Sequence, residues 1–181
     1  EAQREMQGRA ERSRAIAERV GGFRNAESQI RAMLASGQVA EALQLAREWS
    51  RGNDQDIVAG YWRIALLDNT GDLEKARRVA SSRFALVTAK SQERPDDPEV
   101  WYYRGWYERA LGLAEEAEAS FDTALELLRA QGPKRMSDEV WHYNLACYEA
   151  LRGNTEDGLN ALEQAVELGW ADVAWMCVDP D

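Results

Sequence analysis

Four glycines constrain this chain more than any other feature. Gly37, Gly71, Gly112 and Gly153 stand 34, 41 and 41 residues apart, and five positions after each comes a small residue: Ala42, Ala76, Ala117 and Gly158. Helix-length, apolar-rich segments flank every one of them. Self-similarity at such a period marks one supersecondary unit repeated in series. Glycine just past a helix can take the left-handed conformation that ends it. Two antiparallel helices then approach within about 8–10 Å only where the contact side chains are small. The pattern predicts a helix–turn–helix unit repeated about four times.

Within "GLAEEAEASFDTAL" the small residues Ala117 and Ala124 bracket one ring, Phe121. Ala117 lets the paired backbones close, and the ring fills the space where the pair diverges and meets the next. These residues resemble the tetratricopeptide repeat (TPR), whose unit asks for a large residue at position 4, small at 8 and 20, aromatic at 24 and small at 27. The unit from Pro98 supplies Trp101, Gly105, Ala117, Phe121 and Ala124. The unit from Glu139 supplies Leu145, Ala146, Gly158, Leu162 and Ala165. The units from Phe23 and Ile57 depart further: Ile30 and Ile64 sit at the small position, and Trp49 and Arg83 stand where alanine is usual. The tyrosine usual at position 11 is replaced by Met33, Leu67, Glu108 and Glu149.

The resemblance implies an all-α, right-handed α-solenoid of about four TPR-like helix pairs. Its repeats fall near 23–56, 57–97, 98–138 and 139–169, forming an array over 23–169. Spacings of 41 rather than 34 residues imply longer second helices and loops. "DLEKARRVASSRFALVTAK" carries an apolar stripe at Leu73, Ala76, Ala80, Phe84 and Val87, which is helical spacing. Asp97 as N-cap with Pro98 at the first helical position restarts the chain, and Ser137 does so before the last unit.

Residues 1–22 read as a leading or linker helix with a thin seam at Met6, Ala10, Ala17 and Val20, suited to a weak coiled coil or to lying on the first repeat. Such Arg/Glu/Ala-rich leaders resemble segments that join TPR arrays to bacterial signalling domains. Residues 170–181 read as a capping segment in which Trp170, Trp175 and Met176 cover the last unit's apolar face, since a terminal repeat otherwise leaves that face in water. The chain begins at Glu1 rather than Met and ends in "DPD", so a fragment of a longer polypeptide or a processed chain is expected.

Charge narrows the partners. A formal charge of −10 speaks against nucleic acid, whose phosphates need a positive surface, and against an anionic membrane. No apolar run approaches the ~20 residues of a membrane helix. Two cysteines, Cys147 and Cys177, are too few for a disulfide framework and read as buried free thiols. They favour a cytoplasmic home and leave a periplasmic one open.

Catalytic chemistry finds no support in the sequence, and no cofactor is implied. The one histidine, His142, falls at a packing position, and with two distant cysteines it makes no metal-ligand spacing. His142 and Cys147 lie about 140° apart around a helix, so they do not form a nucleophile pair. Gly21-Gly22 lacks the preceding strand and following lysine of a phosphate loop.

In a TPR array the first helices line the concave face, with positions 2, 5, 9 and 12 looking into it. Carried over, position 5 holds Glu27, Tyr61, Tyr102 and Tyr143; position 9 holds Arg31, Ala65, Trp106 and Cys147; position 12 holds Leu34, Asp68, Arg109 and Ala150. Tyr61, Tyr102 and Tyr143 recur at 41-residue intervals as a ladder. Large rings with a polar tip suit a wet recognition surface, and equally suit packing between neighbouring first helices. The expected groove comprises Tyr61, Ala65, Tyr102, Trp106, Arg109, Tyr143 and Cys147. The lysine at position 5 and asparagine at position 9 with which TPR co-chaperones grip a C-terminal carboxylate are missing. The expectation is a non-enzymatic scaffold for a protein or peptide partner. The alternative is a self-assembling connector module of a larger signalling or assembly protein.

Overall fold

The computed structural model describes residues 25–134 and 136–180. The leading segment 1–22, its seam and the Gly21-Gly22 break lie outside the described residues. Among those described, every regular element is a helix. Four antiparallel pairs follow one another: α1 (Ala26–Ala35) with α2 (Val39–Gly52), α3 (Ile57–Asn69) with α4 (Leu73–Glu93), α5 (Pro98–Leu111) with α6 (Ala114–Gln131), and α7 (Asp138–Leu151) with α8 (Thr155–Glu167). A single turn, α9 (Val173–Met176), closes the chain. Each helix packs on the next, α3 also meets α5, and α9 meets α1. The chain is a TPR-like all-helical solenoid.

The turn glycines act as expected. Gly37, Gly71, Gly112 and Gly153 have φ of 75°, 76°, 80° and 74°, a left-handed conformation that costs a side chain about 1 kcal/mol or more. The helices restart at carboxylates. Asp56 accepts from the backbone N–H of Val58 (2.9 Å) and Ala59 (3.2 Å), and Asp97 accepts from that of Glu99 (3.1 Å), with Pro98 at the first helical position. Ser137 occupies the corresponding position before α7, but its hydroxyl makes no bond to the helix backbone. The extra length of the 41-residue repeats lies in α4 and α6, of 21 and 18 residues against 14 in α2.

Small residues sit at the crossings. Ala42, Ala76 and Ala117 are buried, as are Ala80, Ala124 and Ala165. Ile30 and Ile64, the bulky departures, are fully buried too, so the first two pairs close over branched side chains. Two members of the expected pattern lie elsewhere. Leu73 is 60% exposed, because as the first residue of α4 it precedes the turn that meets α3. Cys177 is exposed rather than buried, because the tail buries its Trp175 side instead.

Charged residues are also buried at the repeat joints. Arg83 replaces alanine at position 27 of the second unit and ties off the end of α2. Its guanidinium donates to the carbonyls of Asn53 (3.1 Å), Asp54 (3.1 Å), Asp56 (2.8 Å) and Ser50. Those carbonyls belong to a helix C-terminus and the following loop; the Asn53 and Asp56 carbonyls also accept from the backbone N–H of Asp56 (3.2 Å) and Gly60 (3.4 Å). Glu108 and Glu149 stand where tyrosine is usual. Glu108 accepts from Arg104 (2.8 Å) and Ser120 (2.6 Å), and Glu149 accepts from Asn154 (2.8 Å) and Arg129. A buried carboxylate needs such partners to offset its desolvation. Here they join α5 to α6, and α7 to the preceding α6 and to its own turn.

Candidate functional site

Tyr61 is the hub of the concave face. Its ring centroid lies 5.5 Å from Tyr102, 5.1 Å from Tyr103 and 5.7 Å from Trp106. The Tyr61 and Tyr102 hydroxyls share a 2.7 Å hydrogen bond between α3 and α5. Tyr102 stacks in turn on Tyr148 of α7, at 5.1 Å and 9° between planes. The aromatic contact therefore runs from Tyr61 on α3 through Tyr102 on α5 to Tyr148 on α7, with Tyr148 rather than Tyr143 as its third member.

These rings wall a cavity of 320 Å3. Tyr61, Tyr102, Tyr143 and Cys147 line it, as anticipated, joined by Tyr103 and Tyr148. The remaining anticipated residues stand outside it. Trp106 is 1% exposed and Ala65 equally buried, so both pack between first helices. Arg109 lies at the far end of α5, its guanidinium 4.9 Å from the Trp106 ring and 3.5 Å from the Asp68 carboxylate. It borders a separate shallow concavity with Leu73 and Gly112. Arg104 faces Glu108, Ser91 and the Trp101 ring, again away from the cavity.

The cavity's charge comes from Glu27, Arg31, Glu99 and Asp179. Arg31 donates to Glu27 at 2.8 Å. Burial opposes its charge, but Glu27, followed by Asp179 and Tyr61, outweighs that and raises its pKa. Glu99 is pushed up by desolvation at the cavity wall, then by the carboxylates of Asp97 and Glu27, although it remains an exposed residue. Desolvation, with Glu99 adding to it, raises the Tyr103 phenol as well, so it stays protonated. Aromatic rings, hydroxyls and charges of both signs thus line one cavity.

The tail follows its expected course as a cap on the last pair only in part. Trp170 stacks on Tyr143, at 4.1 Å and 9°, covering the last pair as expected. Trp175 instead crosses to the opposite end of the array. It meets Trp62 of α3 edge-on at 5.8 Å and lies beneath the Arg31 guanidinium of α1 at 4.5 Å. Tyr143 donates its hydroxyl to Asp179 at 2.6 Å. The tail spans from the fourth pair to the first, and Trp170, Trp175 and Asp179 all line the tyrosine cavity.

Among the described residues, no three of His, Cys, Asp and Glu stand together as a metal site, and no helix is long and apolar enough to cross a membrane. No protein-family model matches the chain, and no curated protein matches it. Solved structures similar to it include the crystal structure of MamA, at 11% identity and TM-score 0.39, over 91% of this chain and 92% of that one. MamA 41–end from Desulfovibrio magneticus RS-1 is similar at 16% identity and TM-score 0.33, over 82% and 95%. Overlaps this loose carry no argument, and the architecture rests on the chain's own helices.

Proposed function

We propose that this chain is a non-enzymatic protein-interaction module of TPR type that holds a segment of a partner protein against its tyrosine-lined concave face. The observation that carries this reading is the convergence of five tyrosines, from three successive first helices, on one cavity with Arg31 and Glu99 at its wall. A 320 Å3 space lies at the small end of ligand pockets and is too narrow for a whole helix about 10 Å across. It suits one or two side chains of an extended segment, with affinity concentrated in those anchors.

Peptides selected from a random library for binding to the chain should shift the backbone NMR signals of Tyr103, Asn144 and Cys147 when titrated in. Selected peptides that perturb only the second helices α2, α4 and α6 would remove the concave face from the account.

A second reading, self-assembly, draws on a different surface. Leu159 and Val166, seven apart on α8 and so on one face, are 62% and 51% exposed, and Val173 is 62% exposed. Leu159 and Val166 make an apolar stripe along α8. Sedimentation of the chain against a Leu159→Glu, Val166→Glu variant tests it: the wild type should associate with rising concentration and the variant should remain monomeric.

A further inference from the structure

We propose that residues 170–180 act as a cis occupant of the concave face, and that the partner segment has the tail's own chemistry: an indole followed a few residues later by a carboxylate. This inference rests on the concave face being a binding surface and names what that surface takes. The tail engages it at three points. Trp170 stacks on Tyr143, Trp175 inserts between Trp62 and Arg31, and Asp179 receives the Tyr143 hydroxyl. Trp175 is 3% exposed, the burial of an anchor rather than of a chain end lying on a surface.

The seat is matched in charge as well as shape. Arg31 carries the positive charge of the site, and Asp179 contributes to holding it protonated. An incoming segment with an aromatic ring and a carboxylate finds both complements ready: a guanidinium over an indole face and a phenol donor. A basic segment would find Glu27 already paired with Arg31 and would lose the phenol's donor role, with Glu99 left to attract it.

Internal order of the tail is local and slight. It is a single turn capped by Asp172, which accepts from the Trp175 N–H at 3.0 Å, and it follows Gly169, whose φ is 110°. A short element joined through a left-handed glycine can leave its seat without unfolding the pairs it touches. When it is seated, a competing segment binds only the fraction of molecules with the tail out, and its apparent affinity falls by that fraction.

The test uses a synthetic peptide of residues 169–180 carrying Cys177→Ser, titrated by calorimetry into the full chain and into a full chain carrying Trp170→Ala and Trp175→Ala. The tail-released chain should bind the peptide at least about tenfold more tightly than the wild type. Peptides with Trp175→Ala or Asp179→Asn should lose about tenfold each. Equal affinity for the two chains, or no binding to a released chain that keeps its helical circular dichroism, overturns the proposal. Should that variant not fold, Asp179→Asn in the full chain carries the same comparison, its affinity expected above the wild type's. Failure of the tail peptide while library peptides still shift Tyr103 and Cys147 sinks the tail's role alone. Failure of both sinks the binding reading as well.

Discussion

The ring of Phe121 occupies the space that a methyl group on residue 105 would need. A Cβ built on Gly105 falls 2.5 Å from the Phe121 Cε1 atom and within 2.8 Å of two further ring carbons. The glycine in α5 and the phenylalanine in α6 are one contact, and it sets how closely the third pair closes. Gly105→Ala should therefore destabilise the chain by about 1–3 kcal/mol through overpacking, less up to about 1 kcal/mol returned by better helix propensity. Urea denaturation checks it, and Phe121→Leu in the Gly105→Ala background should recover part of the loss.

Gly158, on the second helix of the last pair where the third pair has Ala117, predicts the opposite result. A Cβ there meets the Ala146 carbonyl oxygen at 3.4 Å and the Glu149 Cβ at 3.5 Å, ordinary contact distances. Gly158→Ala should be neutral or stabilise by up to about 1 kcal/mol, because the methyl fits and helix propensity improves. A thermal melt that falls by several degrees would contradict the geometry.

Arg83 should be among the most sensitive positions in the second pair. Removing it takes one donor from each of four carbonyls around the end of α2, leaving the buried Ser50 carbonyl without its guanidinium partner. Charge-assisted hydrogen bonds are worth about 1.5–3 kcal/mol each and are not additive, so Arg83→Ala should cost about 3 kcal/mol in chemical denaturation. Arg83→Lys should recover less than half, since a single ammonium lacks the planar spread of donors that reaches all four acceptors.

What could be read from the residues, and what could not, divides along a physical line. Side-chain size at fixed spacing is local information, which is why Gly112, Ala117, Phe121 and the Asp97-Pro98 start announced themselves. A buried charge such as Arg83, Glu108 or Glu149 looks like a defect in the repeat until its partners are known, and each has partners outside its own helix. The concave positions were read on an idealised phase. In the structure Trp106 and Ala65 turn into the packing between first helices, while Tyr103, one residue on from the ladder, faces the cavity. The tail's reach from α8 to α1 depends on curvature summed over four pairs, a global quantity that no window of sequence contains.

The Tyr61–Tyr102 hydroxyl pair is the link between the second and third first helices that can be weighed directly. At 2.7 Å and buried, it is a neutral hydrogen bond worth about 1 kcal/mol. Tyr61→Phe and Tyr102→Phe should each destabilise the chain. The double variant should cost less than the sum by about 1 kcal/mol, the coupling a double-mutant cycle isolates. Strict additivity would mean the two hydroxyls do not stabilise the fold through each other.

Glu99 gives the concave face a pH dependence whose sign follows from its surroundings. Desolvation at the cavity wall, then Asp97 and Glu27, raise its folded-state pKa above the ordinary value of 4.5. The folded chain therefore holds that proton more tightly than the unfolded chain does. Its contribution to stability is fully present below the ordinary carboxylate range and is lost as pH rises through the folded-state pKa. Above that window the ionised carboxylate is a net cost. Glu99→Gln removes the charge and keeps the shape, so the variant should melt at a higher temperature than the wild type at pH 7. The difference should shrink as pH falls toward 4 and vanish below it. Paired thermal melts across pH 4 to 8 read this out, and a glutamine variant less stable than the wild type at neutral pH would show that the Glu99 carboxylate is held by a favourable partner instead.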